Sequence, residues 1–437
     1  MRGFVLSSYT NRMKQTRPLY VFAALLLLNL LGGFSVFSQE PSKQSASDEE
    51  VLKEIDRLMH VLQLIRKNYV DIDKVSTAEL FKGALRGMTE CLDDYSDFLP
   101  PTDFRSFMED TDGKYGGIGV TVNNVNGQVT IINVVKGGPS DKAGIKVGDV
   151  IHAVDGIELS KEDTDNNVLR LRGEPGTKVK VTIHRPDDKG VLNVDAPVEV
   201  EVERAVIKLP SVVAAQVLEG NIGFVRIKQF AEPTAEDLKK VLQDFEKQKI
   251  NGLIMDLRGN PGGLLESAVA ICSFFLAPNS LVVTVKHHSD VHENRESEHF
   301  EEHHSLPGYL FNDKIKMIIL VDGESASASE ITAGCLRDHR RAVLLGAKTF
   351  GKGSVQSIIN LDDGSAVKLT VARYYTPDPN RPTIDKNGIV PDITETMRSA
   401  VLRSLEQGFE EGKVDLEKDT QLARALEVLR SFPVLNR

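Results

Sequence analysis

Behind a polar stretch at 39–47 (QEPSKQSAS), apolar side chains recur at Val51, Leu52, Ile55, Leu58, Met59, Leu62 and Ile65. That spacing lines one face of a helix, and Ser47 with Glu50 supplies a capping-box start. A second helix is expected over 77–91. From about 111 to 206 the texture changes to short runs such as VTIINVV, GDVIHAVDG, VKVTIHR and VEVEVERAVI, separated by glycine turns. Branched apolar residues that alternate or cluster in this way predict strands, and a stretch of this length suits one small β-rich domain. From Gly220 onward strands and helices take turns. GLIMDL is followed by the helical LLESAVAICSFFLA, IKMIILVDG by the helical SASEITAGCLRD, and then comes AVLLGA. Such alternation predicts an α/β layer with partly parallel strands, whose strand-end loops carry chemistry. SVQSIINL and SAVKLTVARYYT read as strands again, and 396–437 as a polar helical tail.

The first 18 residues carry Arg2, Arg12, Lys14 and Arg17 and no acid, and residues 19–37 (LYVFAALLLLNLLGGFSVF) carry no charge at all. A basic flank before an uncharged stretch of that length is either a cleaved export signal or an uncleaved single-span anchor. Both outcomes export the remaining chain. Over the whole 437 residues the net charge is −10 and no basic run follows the first 17 residues, which argues against nucleic acid as a partner. Three scattered cysteines, Cys91, Cys272 and Cys335, make neither a disulfide framework nor a zinc cluster.

GAKTFGKGSV (346–355) has the outline of a phosphate loop, but Gly353 stands where a hydroxyl should follow Lys352, and a β-leaning run follows instead of a helix. The lysine needs another reading. ESASASE (324–330) lies between a strand and a helix, where helix amides favour a developing anion. Serines there also serve as caps, and Ser327 with Glu330 fits a capping box. A nucleophilic serine needs a base. Six of the ten histidines crowd the glutamate-rich 287–304 stretch, which reads as a solvated acidic loop; Phe300 stands where a zinc protease of His299–His303 spacing would need glutamate. A lysine serves instead when burial leaves its amine neutral. Lys352, between two glycines, is the candidate, with Gln356 placed to hold it. Spacing alone does not choose among Ser325, Ser327 and Ser329.

ESASASE, GKGSVQ and DLRGNPGG (256–263), in order with LDDYSDFL, YGGIGV, KAGIKVGDVIHAVDG, ARYYTP and NGIVPDI, resemble the carboxy-terminal processing peptidases, or tail-specific proteases. The resemblance covers about residues 50–400. It implies a crotonase/ClpP-like α/β protease core with an inserted β-rich PDZ domain and an N-terminal helical region. The expected divisions are a signal peptide or anchor at 1–38, the helical region at 39–110, the PDZ domain at 111–206, the core at 207–400 and a helical tail at 401–437.

Carried over residue by residue, Ser327 is the nucleophile, Lys352 the base and Gln356 its support. The amides of Ala328 and Gly262 form the oxyanion site, and Asp256, Arg258 and Asn260 shape the turn. Gly116, Gly117, Ile118 and Gly119 become the PDZ loop that captures a chain end. The implied activity is a serine endopeptidase cutting C-terminal tails of proteins, with no metal or organic cofactor. The other reading is a non-catalytic PDZ scaffold that binds the same tails. The opening helices offer a face for a homodimer contact, though packing on their own chain is the simpler reading.

Overall fold

The computed structural model describes residues 43–72, 76–125, 128–159, 164–187, 191–287, 300–410 and 413–435. The expected signal or anchor at 19–37 lies outside them, as does His299; no described helix is long and apolar enough to cross a membrane. The chain divides into two compact units, 1–80 and 81–437. In the first, a helix runs Lys43–Asn68, so Ser47 lies within it and not at its start.

In the second unit a six-stranded sheet is ordered Val212–Leu218, Ile222–Ile227, Gly252–Asp256, Lys316–Val321, Val343–Gly346 and Ile393–Thr394. The first pair is antiparallel and the rest are parallel. Strand residues alternate between two cores. Val225, Leu253, Met255, Met317, Ile319 and Leu344 face one, under helices that include Leu265–Ser273 and Ala328–Asp338. Phe224, Ile254, Ile318, Leu320 and Leu345 face the other. Burial on both faces is why these strands read as continuous apolar runs. Helix Thr234–Lys247 buries Leu238, Leu242 and Phe245, and its Glu236 and Asp237 meet the positive end of the helix dipole.

The polar tail expected at 396–437 is instead two amphipathic helices, Ser399–Glu410 and Thr420–Leu435. They bury Leu402, Leu405, Phe409, Leu422, Leu426 and Leu429 against the second face. Each such side chain contributes about 1.5–3 kcal/mol when fully buried, so the tail is an integral layer of the fold.

A second, antiparallel sheet runs Asp97–Leu99, Ala366–Tyr375, Leu281–His287 and Phe300–His304, with Ser354–Asn360 also paired to Ala366–Tyr375. The acidic loop expected at 287–304 is corrected at both ends: His287 and Phe300–His304 belong to paired antiparallel strands, with Lys286 opposite Phe300, and 288–299 lie outside the described residues. The β-rich domain is a separate antiparallel sheet ordered Val120–Val125, Gln128–Val134, Val150–Val154, Lys178–His184 and Val198–Glu203, over a core of Ile118, Ile131, Val181 and Ile183. Its entry strand Lys114–Gly117 pairs with its exit strand Ala205–Lys208.

Candidate active site

Strand Lys316–Val321 ends in a turn built by one carboxylate: Asp322 Oδ1 accepts from the backbone N–H groups of Gly259 at 2.9 Å, Glu324 at 3.0 Å and Ser325 at 3.1 Å. The chain then enters helix Ala328–Asp338 through Ser327, whose φ of 54° is in the left-handed region that non-glycine residues avoid. Strain of this kind persists only where surrounding contacts enforce it. The three serines now separate. Ser325 Oγ donates to the Leu257 carbonyl at 2.8 Å and Ser329 Oγ to the Asn260 carbonyl at 3.0 Å, and both are wholly buried. Ser327 is the partly exposed one, standing at the helix start.

The turn after Asp256 braces this elbow. Asn260 Nδ2 donates to the Ile227 carbonyl at 2.8 Å, and the Asn260 carbonyl accepts from the Ala326 N–H at 3.0 Å. Gly262 packs so close that an added Cβ would come within 2.7 Å of Ser327 Cβ and 2.9 Å of the Ala328 nitrogen. Only glycine allows that approach. Its N–H, however, donates to Asn260 Oδ1 at 2.9 Å. Of the two expected oxyanion donors, Ala328 and Gly262, both lie at the serine, and Gly262 already has an acceptor.

Lys352 arrives on a loop that crosses the same helix start. Glu330, wholly buried, accepts from the Ser327 N–H at 3.0 Å and the Lys352 N–H at 2.9 Å on one oxygen. On the other it accepts from the Gly351 N–H at 2.8 Å and the Thr349 hydroxyl at 2.5 Å. The buried Tyr374 hydroxyl donates to the Lys352 carbonyl and lies beside the Ser327 hydroxyl. The Lys352 amine sits 5.0 Å from the Tyr95 ring centroid. Removal from water and the nearby Lys368 charge push it below lysine's ordinary value, with Glu330 pulling the other way.

Gln356 Nε2 donates to Ser354 Oγ at 2.8 Å and reaches Thr370 Oγ1 at 3.4 Å. Thr370 in turn donates to Asp93, which also accepts the N–H groups of Tyr95 and Ser96 at 2.8 Å. The LDDYSDFL segment thereby docks on the lysine side of the site. Gly116–Gly119 lie elsewhere, at the β-rich domain's entry. Gly116 and Gly117 are in the entry strand, Ile118 is in that domain's core and Gly119 turns with φ 74°.

Beneath the glycine turn lies a buried ionic cluster. Arg258 donates to Asp256 at 2.9 and 2.8 Å, to Asp419 at 2.8 and 2.7 Å and to Gln421 at 3.0 Å; Arg226 meets Asp256 at 2.7 Å. Burial alone would raise the Asp256 carboxyl, but the Arg258 and Arg226 charges bring it down to about 2.

A family model described as "Peptidase family S41" matches residues 221–395, "PDZ domain" matches 116–198, and "Activating protease CtpB N-terminal domain" matches 29–100. A carboxy-terminal-processing protease of Bartonella bacilliformis is 34% identical over 351 residues, covering 79% of this chain and 76% of that protein. The chain belongs to this family. Carboxy-terminal processing protease CtpA of Bacillus subtilis is 33% identical over 374 residues, 85% of this chain and 74% of its own. A solved photosystem II D1 C-terminal processing protease is 26% identical over 81% of this chain and 96% of its own, with a TM-score of 0.42, too loose a likeness to carry geometry.

The protein is thus a serine-type, PDZ-containing carboxy-terminal processing protease. Sequence reasoning had no account of Tyr374 and Tyr95 at the lysine, Glu330 between the loops, or Asp419 and Gln421 under the turn. Tyr95 and Tyr374 stand in family motifs and were findable by that route. Asp419 and Gln421 lie beyond the last motif and carried no signal.

Proposed function

We propose that this protease is an exported endopeptidase that cleaves C-terminal tails of proteins, with Ser327 as nucleophile and Lys352 as base. The observation that carries the reading is the single Glu330 oxygen shared by the Ser327 and Lys352 amides, which holds a partly exposed serine against the lysine loop. Desolvation of Lys352 supports a neutral amine able to take a proton. Ser327 Oγ attacks the scissile carbonyl and its proton passes to Lys352. The ammonium then protonates the leaving amine, and water repeats the sequence on the acyl-enzyme. The Ala328 N–H at the helix start steadies the oxyanion, joined by that of Gly262 once it turns from Asn260. Gln356, whose amide N–H2 is engaged by Ser354 and Thr370, offers its carbonyl oxygen to the Lys352 ammonium.

In the PDZ domain, strand Val120–Val125 is the terminal strand of the sheet. A substrate tail adds there as a further strand, its carboxylate held by the Gly116–Gly119 amides. The basic and uncharged N-terminus supports export, with residues 19–37 either removed or kept as an anchor.

The test is cleavage of a protein with an apolar tail by the wild type, Ser327→Ala and Lys352→Ala, with mass spectrometry of the products and of the mature N-terminus. Loss of cleavage by on the order of 10⁴-fold is expected in both variants. Equal cleavage by the variants rejects the dyad, and binding without cleavage by the wild type favours a scaffold.

A further inference from the structure

We propose that Glu330 is a positioning residue of this protease: its one carboxylate sets the register between the serine elbow and the lysine loop. The inference rests on the Ser327–Lys352 reading and extends it to a residue that touches neither the substrate nor the reacting atoms.

The geometry is unusual for a helix cap. A capping-box glutamate at this position reaches back to one backbone N–H. Here four donors converge on the carboxylate, three backbone N–H groups and one hydroxyl, at 3.0, 2.9, 2.8 and 2.5 Å. One donor comes from the elbow and three from the loop that follows strand Val343–Gly346. Thr349 extends the brace, since its hydroxyl accepts from the Ile389 N–H at 2.7 Å. The carboxylate is wholly buried and none of its four contacts is a cation. Burial raises its carboxyl, and the four donors pull it back toward the ionised form.

A neutral isostere cannot do the same work. Glutamine has one acceptor oxygen, so its N–H2 would face the Ser327 and Lys352 N–H groups in one orientation and the Gly351 N–H in the other. The elbow and the lysine loop would then part by the small distance that positioning catalysis does not tolerate.

The same carboxylate also acts on the base. Around the Lys352 amine stand Lys368 from the strand Ala366–Tyr375, Tyr95 from the 92–99 segment and Glu330 from the helix, while Tyr374 holds the Lys352 carbonyl. Asp385 lies against Gly353 and pairs with Arg373 at 3.3 Å. Glu330 is the negative charge that opposes the lowering of the lysine. Removing that charge leaves the amine neutral to lower pH.

The experiment is the pH profile of kcat/KM for the full-length wild type, Glu330→Gln and Glu330→Asp on one tailed substrate, with Ser327→Ala alongside. For Glu330→Gln the plateau is expected to fall at least about tenfold through kcat, with KM within about twofold, and the acidic limb to move to lower pH. A plateau loss with an unmoved limb, or no loss, overturns the proposal, because a merely structural brace would leave the lysine's titration in place. Should Glu330→Gln not fold, Glu330→Asp decides. Its charge remains but is one methylene short of bridging both loops, so kcat falls about tenfold with the limb where the wild type has it. An unchanged kcat overturns the proposal there. Cleavage retained by Ser327→Ala would instead overturn the dyad itself.

Discussion

Glu330 and Asp256 are both wholly buried beside the same serine elbow, yet Asp256 is met by two guanidinium groups and Glu330 by backbone amides and a hydroxyl. Their carboxyls move in opposite directions. The arginine charges bring Asp256 down to about 2, whereas burial without a cation lifts Glu330 above its ordinary value. The difference teaches where charge is tolerated. Under the glycine turn, an ion cluster ties Asp256, Arg258 and Asp419 together. At the lysine loop, dipoles hold the backbone and leave the lysine largely to desolvation.

Several changes would break or sharpen this contrast. The largest effect is expected from Gly262→Ala. Its methyl would meet the Ala326 carbonyl at 2.6 Å and the Ala328 nitrogen at 2.9 Å, displacing the elbow and an oxyanion donor together. A drop of about a thousandfold in kcat is expected. An active Gly262→Ala enzyme would mean the turn does not brace the serine.

Asp419→Ala comes next. It strips one partner from a buried guanidinium and lowers unfolding stability by about 3 kcal/mol in urea titration, at the low end because Asp256 remains. Stability near wild type would make the cluster incidental.

Acid separates the two carboxylates. The stability contributed by Asp256 is fully present above the ordinary carboxyl value and disappears as pH falls through about 4 to 2, amounting to about 2 kcal/mol. Glu330 has the opposite sign: protonating its raised carboxyl relieves a cost of burial. Activity, which requires a neutral Lys352, is therefore expected to disappear well before the fold does as pH falls. Fluorescence or circular dichroism alongside cleavage rates would reveal it, and simultaneous loss would contradict the assignment.

The smallest effect is expected from Gln356→Leu. It removes a carbonyl acceptor for the ammonium and the donor to Ser354 Oγ, while Thr370 keeps Asp93, and kcat should fall about tenfold. An unchanged rate would remove Gln356 from the site.

Much of the architecture was legible in the pattern. Alternating strands and helices from Gly220 onward predicted an α/β layer, and the strands Gly252–Asp256 and Lys316–Val321 with the helix Ala328–Asp338 lie where periodicity put them. The tail differs from the polar expectation. Its helices are half-apolar, and their buried face is meaningful only against a sheet apolar on both sides. That demand for a second cover was implicit in the strand composition, but which segment meets it is not a local property.

The sequence by itself determined the element types, the glycine turns and the order of motifs, because these depend on propensity and on spacing along one element. The tertiary structure decided which of three alternating serines remains accessible, by tying Ser325 to Leu257 and Ser329 to Asn260. It also decided that the Gly262 amide is already engaged, and that Asp419 completes the charge of Arg258. Hydrogen bonds between groups far apart in the chain depend on how the strands and loops come together in space, and no local periodicity carries that information.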